Sequence, residues 1–399
     1  MKLKLLPSSF STRLNWLLTP VESDTGRLYD RQLLLLTVGL LCLGIVMVAS
    51  ASIAESMSLH HRPFIFVKRQ VLAVIVSLIA MAVTVQCPVE WWKKHNAKFL
   101  LMAMVALLLV LLVGRSINGS SRWLGFGPLN IQPAEFAKLA LFAYLSGYLV
   151  RRNQEIRENL KGFLKPLAVL FILALLILAQ PDLGTVVVMF VATIGMLFIA
   201  GAKLIQFCGL IVTGSLSVAM LIVAEPYRVR RVTSFLNPWQ DPFGSGYQLT
   251  QSLMAFGRGQ WFGEGLGNSV LKLEYLPEAH TDFVMAILAE ELGFIGVCIV
   301  LGLFAWLSYK AIAIGRRALQ SNQPFEGYLA CGIGIWIAFQ SAVNIGAASG
   351  MLPTKGLTLP LVSYGGSSLL VMSIVIGLLL RIDFEWRQAN QQAHRWEGE

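Results

Sequence analysis

Residues 276–283 read LPEAHTDF and set Glu278, His280 and Asp282 at alternate positions, directly ahead of an apolar run, FVMAILAEELGFIGVCIVLGLFAWLSY. Two carboxylates and an imidazole are the residue types that move protons. Asp282 has two readings. It could cap the following helix, a position for which Asp is among the best residues and which the positive helix end favours. Alternatively, it could head a helix that begins outside the hydrocarbon and lines a cavity. His280 reads most simply as a surface loop residue.

Ionisable side chains recur in three other apolar settings, where exposure to lipid would cost several kcal/mol. In NIQPAEFAKLALF, Glu135 and Lys138 stand three residues apart on one helix face, which reads as an internal ion pair or as part of a polar site. In QPDLG, residues 180–184, Pro181 and Gly184 make a tight turn and Asp182 would cap the next helix, with Gln180 beside it. In GMLPTKGLTLPLVSYGGSS, residues 350–368, two prolines and several glycines indicate an irregular segment at membrane depth, buried in protein or facing a wet cavity. Lys355 there could snorkel to lipid phosphates or await an anion.

These positions must be carried by membrane helices. The chain has 399 residues, 56% apolar and 14% charged, outside the range of water-soluble domains. Apolar runs of spanning length fall at about 33–53, 64–86, 97–114, 131–150, 163–180, 183–200, 203–225, 283–309, 327–350 and 359–381. The expected fold is therefore an all-α polytopic membrane protein of ten transmembrane helices. Lys and Arg concentrate in alternate connections (Lys93, Lys94 and Lys98; Arg151 to Lys165; Lys203; Lys310, Arg316 and Arg317), which places both termini in the cytoplasm. Residues 1–32 and 382–399 then form cytoplasmic tails around a transmembrane domain, 33–381. The long connection 226–282 lies outside as a folded loop rich in aromatics, Gly and Pro, with an amphipathic stretch around 248–256.

Other functions find no support. The five cysteines are scattered and suggest neither disulfides nor a zinc site. GEGLGN, residues 263–268, has no following G-K-[ST] and no preceding strand, and no G-x-S-x-G, H-E-x-x-H or RNA-binding signature occurs. The net charge of +10 thus reflects topology and not a nucleic-acid partner. The Asn118-Gly119-Ser120 sequon is compatible with chance.

In order and spacing, SSRWLGFGPLNIQPAEFAKLALF, QPDLGTVVV, PYRVRRVTSFLNPWQDPFGSGYQLTQSLMAFGRG, LGNSVLKLEYLPEAHTDFVMAILAEELG and LPTKGLTLPLVSYGGSS resemble the signatures of the SEDS (shape, elongation, division and sporulation) family of bacteria. The match runs from about residue 30 to 385. LPTKGLTLPLVSYGGSS resembles the cell-division branch; the elongation branch carries a Val-Thr-Gly version without the lysine.

The resemblance implies an inner-membrane peptidoglycan glycosyltransferase at the division septum, with its active site facing the periplasm. Such enzymes join the 4-hydroxyl of one lipid II sugar to the anomeric carbon of a lipid-linked chain, with inversion, to give a β-1,4 linkage. Undecaprenyl diphosphate leaves readily, so one carboxylate base and cations for the diphosphate suffice. Asp282 matches the family's catalytic aspartate. Lys355, Arg228, Arg230 and Arg231 are candidates for the diphosphate, although each arginine alone also reads as an interface anchor. Glu278 and His280 would orient the acceptor or Asp282, Ser363 would bring backbone donors to the substrate, and Glu135, Lys138, Gln180 and Asp182 would support the cavity. A divalent cation such as Mg²⁺ could bridge the diphosphate, with no ligand cluster to fix it. Implied partners are lipid II, the nascent glycan strand, an FtsI-type class B penicillin-binding protein, and FtsQ, FtsL and FtsB. Two readings from other classes are a lipid II flippase, which needs a polar path across both leaflets, and a non-catalytic scaffold, which needs no Asp282.

Overall fold

A computed structural model describes residues 29–117, 120–126, 129–353 and 356–397. Most of the expected N-terminal tail, Asn118 and Gly119 of the sequon, and Lys355 lie outside the described residues. The helices are α1 (Arg31–His60), α2 (Ile65–Gln86), α3 (Val89–Val113), α4 (Pro133–Arg151), α5 (Asn153–Glu158), α6 (Leu160–Leu178), α7 (Leu183–Ile199), α8 (Leu204–Val223), α9 (Pro226–Leu236), α10 (Tyr247–Gly259), α11 (Val284–Gln320), α12 (Pro324–Ala348) and α13 (Gly366–Glu397).

Each apolar run read from the sequence carries one of these helices. Among the described residues, eight are long and apolar enough to cross a membrane: α1, α2, α3, α6, α8, α11, α12 and α13. Helix α7 is shorter, at 17 residues, and α4 holds Glu135 and Lys138. Lipid as the outer solvent shows in α2, where Gln70, Ser77 and Thr84 are buried while Leu72, Ile79 and Val83 are exposed. That polarity is the reverse of a water-soluble surface helix. The buried stripe faces α13, and α4 stands at the centre, nearly all of it buried.

The structure corrects the sequence reading in three places and agrees with it in the long connection. The fold is not purely helical: β1 (Arg115–Ile117), β2 (Ser120–Phe126) and β3 (Leu129–Ile131) form a small antiparallel sheet between α3 and α4. Lys93, Lys94 and Lys98 sit in the first turns of α3 and not in a connection, because the helix starts at Val89 behind Pro88, which ends the preceding segment. The long connection contains α9 and α10, the latter covering the expected amphipathic stretch. The last helix begins at Gly366 and runs past residue 381 to Glu397, held there by buried Asp383, which accepts from Arg317 at 2.9 Å and Arg387 at 2.7 Å.

One break matters for the loop. Helix α11 is interrupted at Gly293, with φ 68° and ψ −170°. The orphaned carbonyls of Glu290 and Glu291 accept from the Glu264 and Gly265 amides at 2.9 and 3.0 Å, and the Phe294 and Ile295 amides donate to Gln260 and Trp261 at 2.8 and 3.2 Å. Both glutamates are fully buried and their side chains hold the same loop. Glu290 accepts from the Val270 amide at 3.0 Å and pairs with Arg258 at 3.3 Å. Glu291 accepts from Ser50 of α1 at 2.5 Å and from Lys272 at 2.8 Å.

A Cβ on Gly293 would press on backbone nitrogens of Phe262 and Gly263, in a left-handed conformation that L residues resist. Gly293→Ala is expected to lower the unfolding temperature in detergent, at a cost of about 2 kcal/mol or more. Gly302→Ala, with no atom within 4 Å, is the comparison; equal melting of the two variants contradicts the account of the break.

Candidate active site

The heads of α7 and α11, the sheet, α9 and the segment before α13 converge on a cavity of about 1210 Å³. Its lining is mixed: charged Asp182, Asp282, Glu278, Arg122, Arg228 and Arg231 stand with apolar Leu72, Ala73 and Val76 of α2, Phe136 and Leu370, and Arg69, Gln70 and Ser77 of α2 also contribute. Leu72 and Val76 are exposed, so the chamber has an apolar furrow along α2.

Asp282 belongs to a chain of turns and not to a helix. The Thr281 and Phe283 amides both donate to the Glu278 carbonyl at 3.2 Å, with Glu278 itself at φ 57°. The cap position of α11 is Phe283, which makes no side-chain cap hydrogen bond, so the helix-cap reading of Asp282 fails. The carboxyl meets the cavity on one side and protein on the others. Burial, reinforced by the negative Glu278 and Asp182, pushes its pKa up to about 7 against the opposing fields of Arg122 and Arg231.

Other predicted residues are distributed unevenly. Glu278 lines the cavity, where its Oε2 accepts from the Thr281 hydroxyl at 2.7 Å. His280 does not line it: the ring is buried between Phe66 and Tyr364, with Nδ1 3.0 Å from Glu55 of α1. It is neither a surface residue nor a group facing the chamber, and its carbonyl accepts from the Tyr364 amide at 3.0 Å. Arg228 and Arg231 share a face of α9 and reach the chamber, whereas Arg230 is exposed and outside the lining. Ser363 is likewise outside it, its buried hydroxyl accepting from the Leu359 amide at 2.9 Å, although Tyr364 to Ser368 do line the wall. Lys355 lies outside the described residues, but its neighbours Pro353 and Gly356 line the cavity.

The supporting residues take distinct places. Asp182 both caps α7, accepting from the Thr185 amide at 3.1 Å and hydroxyl at 2.8 Å, and lines the chamber. Gln180 is buried and donates to Leu107 at 3.3 Å. Glu135 and Lys138 pair at 2.9 Å with no opening to the cavity wall; Lys138 also donates to Gln340 Oε1 at 2.9 Å and lies 4.9 Å from the Trp336 ring.

Three site residues escaped the sequence reading. Arg122 of β2 donates to the Gln180 and Pro181 carbonyls at 2.9 and 2.5 Å and faces Asp282. Its signal was present in the SSRW stretch, where a lone cation stands in a short Gly- and Ser-bounded strand. Gln340 and Asn344, one turn apart on α12, grip the segment before α13. Nothing in an apolar helical run distinguishes them from ordinary packing polar groups. Among the described residues, no three His, Cys, Asp or Glu side chains form a cluster that could hold a metal ion.

Comparison with known proteins agrees with this architecture. The family model described as "Cell cycle protein", covering FtsW, RodA and SpoVE, matches residues 31–388. A relative from Aeromonas salmonicida (strain A449), named "Probable peptidoglycan glycosyltransferase FtsW", is 63% identical over 378 residues, 95% of each chain. A solved structure described as "Structural coordination of polymerization and crosslinking by a peptidoglycan synthase complex" superposes with TM-score 0.73 at 28% identity, over 90% of this chain and 98% of that one. The crystal structure of the Thermus thermophilus rod shape determining protein RodA gives TM-score 0.67 at 28% identity, over 89% and 96% of the two chains. The chain belongs to the FtsW/RodA/SpoVE family of cell cycle proteins.

Proposed function

We propose that this protein is a peptidoglycan glycosyltransferase that polymerises lipid II, inverting the donor anomeric carbon and releasing undecaprenyl diphosphate. The observation that carries the reading is Asp282: a carboxyl with its pKa near 7, facing a chamber with basic side chains that opens onto an apolar furrow. Such a base is half ionised at working pH and still basic enough to accept a hydroxyl proton. As the acceptor 4-oxygen bonds to the anomeric carbon, Asp282 takes its proton, and the bond to the diphosphate breaks with its electron pair on the leaving oxygen. Arg122, Arg228 and Arg231 stabilise the charge that develops there, joined by Lys355. The furrow of Leu72, Ala73, Val76 and Leu370 suits a prenyl tail.

A divalent cation such as Mg²⁺ would be held by the substrate diphosphate and one or two carboxylates, Asp282 or Glu278, since no protein cage of three ligands exists among the described residues. It would add charge neutralisation to that of the arginines.

The reading extends to ten membrane crossings with cytoplasmic termini, the chamber on the periplasmic side, and action at the division septum beside an FtsI-type class B penicillin-binding protein with FtsQ, FtsL and FtsB. Glu135 and Lys138 are spent on each other and on Gln340, so they do not themselves offer a flippase a polar path.

Purified protein given lipid II in detergent, where no leaflet exists to cross, should form glycan strands; Asp282→Ala should slow this by about 10²–10⁴-fold. Undiminished strands from that variant would overturn the assignment and leave the scaffold reading. The acid limb of kcat/KM should lie near pH 7, with activity rising as Asp282 ionises. Glu278→Gln, removing a negative neighbour, should move the limb to lower pH, and Arg122→Gln, removing a positive one, to higher pH. Shifts in the opposite directions contradict the electrostatics. Lys355→Ala should raise KM for lipid II; an unchanged KM removes Lys355 from the site.

A further inference from the structure

The chemistry assigned to Asp282 needs its carboxyl at a fixed height in the chamber, yet its segment is a run of turns with no helical ladder of its own. At Asp282 itself, the tie to the neighbouring helix is one side-chain amide. Asn344 of α12, 2% exposed, donates through Nδ2 to the Asp282 carbonyl at 3.0 Å and to the Leu357 carbonyl at 2.6 Å. One turn earlier, Gln340 Nε2 donates to the Thr358 carbonyl at 2.9 Å. Gln340 cannot be reversed, because its Oε1 accepts from both Lys138 at 2.9 Å and the Trp336 indole at 2.7 Å. The Thr358 hydroxyl in turn donates to Ser368 at 2.9 Å, tying the segment to the head of α13. The result of this stitching is a close approach: a Cβ on Gly356 would stand 3.2 Å from Asp282 Oδ2, its sole neighbour within 4 Å.

We infer that Asn344 is a positioning residue, which locks the Asp282 carboxyl against Gly356 by bridging the backbone of the two segments that meet in the chamber. The inference rests on the reading of Asp282 as the base. A donor NH₂ is required, since both partners are carbonyls and neither can donate. Asn344 itself does not line the cavity, so it acts through Asp282 and not on substrate.

The test uses purified full-length protein polymerising lipid II, with Asn344→Ala, Asn344→Leu and Gly356→Ala. Loss of the bridge should lower kcat by about 100-fold, the cost of a displacement of about 1 Å, while KM for lipid II stays near that of the parent. The acid limb should move to lower pH as the released carboxyl gains water. Gly356→Ala pushes on Asp282 from the open side without touching the interior of α12; it should lower kcat likewise, while the added methyl crowds water from the carboxyl and moves the acid limb to higher pH. In the double variant with Asn344→Ala the losses should be less than additive, because both act on one carboxyl. Parental kcat and acid limb in folded Asn344 variants overturn the inference. If those variants do not fold, Gly356→Ala decides alone, and parental behaviour there overturns it. Asp282→Ala is run alongside: an active Asp282→Ala sinks the polymerase reading itself, whereas an inactive one beside unaffected Asn344 and Gly356 variants sinks only the positioning role.

Discussion

Removing a charge from water is expensive, and the structure depends on where that cost is met by a partner and where it is not. Glu135 is met by Lys138, Glu290 by Arg258, Glu291 by Lys272, Asp30 by Lys310, and Asp383 by Arg317 and Arg387. Some of these pairs join distant elements: Lys310 of α11 reaches Asp30 at the start of α1, and Arg317 of α11 reaches Asp383 of α13. Asp282 differs. Among the described residues it makes no ion pair, and burial, with Glu278 and Asp182 adding to it against Arg122 and Arg231, raises its basicity. The paired charges build a frame, and Asp282, unpaired at the cavity wall, is a group suited to take a proton.

The frame also explains why an irregular loop can carry a catalytic group. The segments 260–265 and 269–272 are tied to α11 on either side of its break at Gly293, by backbone pairing and by the two buried glutamates. His280 fastens the next turn to α1 and to Tyr364, and Asn344 fastens Asp282 to the segment before α13. The loop is therefore anchored at intervals to three membrane helices, α1, α11 and α12, and to the segment before α13. The furrow beside it, by contrast, is lined by α2 residues such as Leu72 and Val76 whose side chains remain exposed, so a lipid-linked substrate can approach from the bilayer side.

Much of this was legible in the sequence, because bilayer-length apolar runs are long and a charge within one is conspicuous. Asp282 and Asp182 stood out for that reason, whereas the arginines of α9 were named through the family resemblance. The sheet did not, since strands of three to seven residues between Gly, Asn and Pro lack a period long enough to read. The start of α3 was set eight residues late, at 97 against Val89, because Lys93, Lys94 and Lys98 look like a connection until Trp91 and Trp92 are seen to belong to the helix. Ser363, His280 and Arg230 share motifs with cavity residues yet face elsewhere, since adjacent positions in a turn or helix point in different directions. Asn344 and Gln340 were invisible for the opposite reason: their importance lies in which backbone carbonyls they meet, some 13 to 62 residues away in the chain, and composition holds no trace of that.

The central claim is that the fold holds Asp282 as a carboxyl of raised basicity at a substrate-accessible wall. Site-resolved titration tests this most directly, following the carboxyl stretch by infrared difference spectroscopy between the protein and its Asp282→Asn variant across pH 3 to 9. The account predicts a midpoint at about 7. A midpoint near 4, the value of an ordinary solvated aspartate, would contradict it.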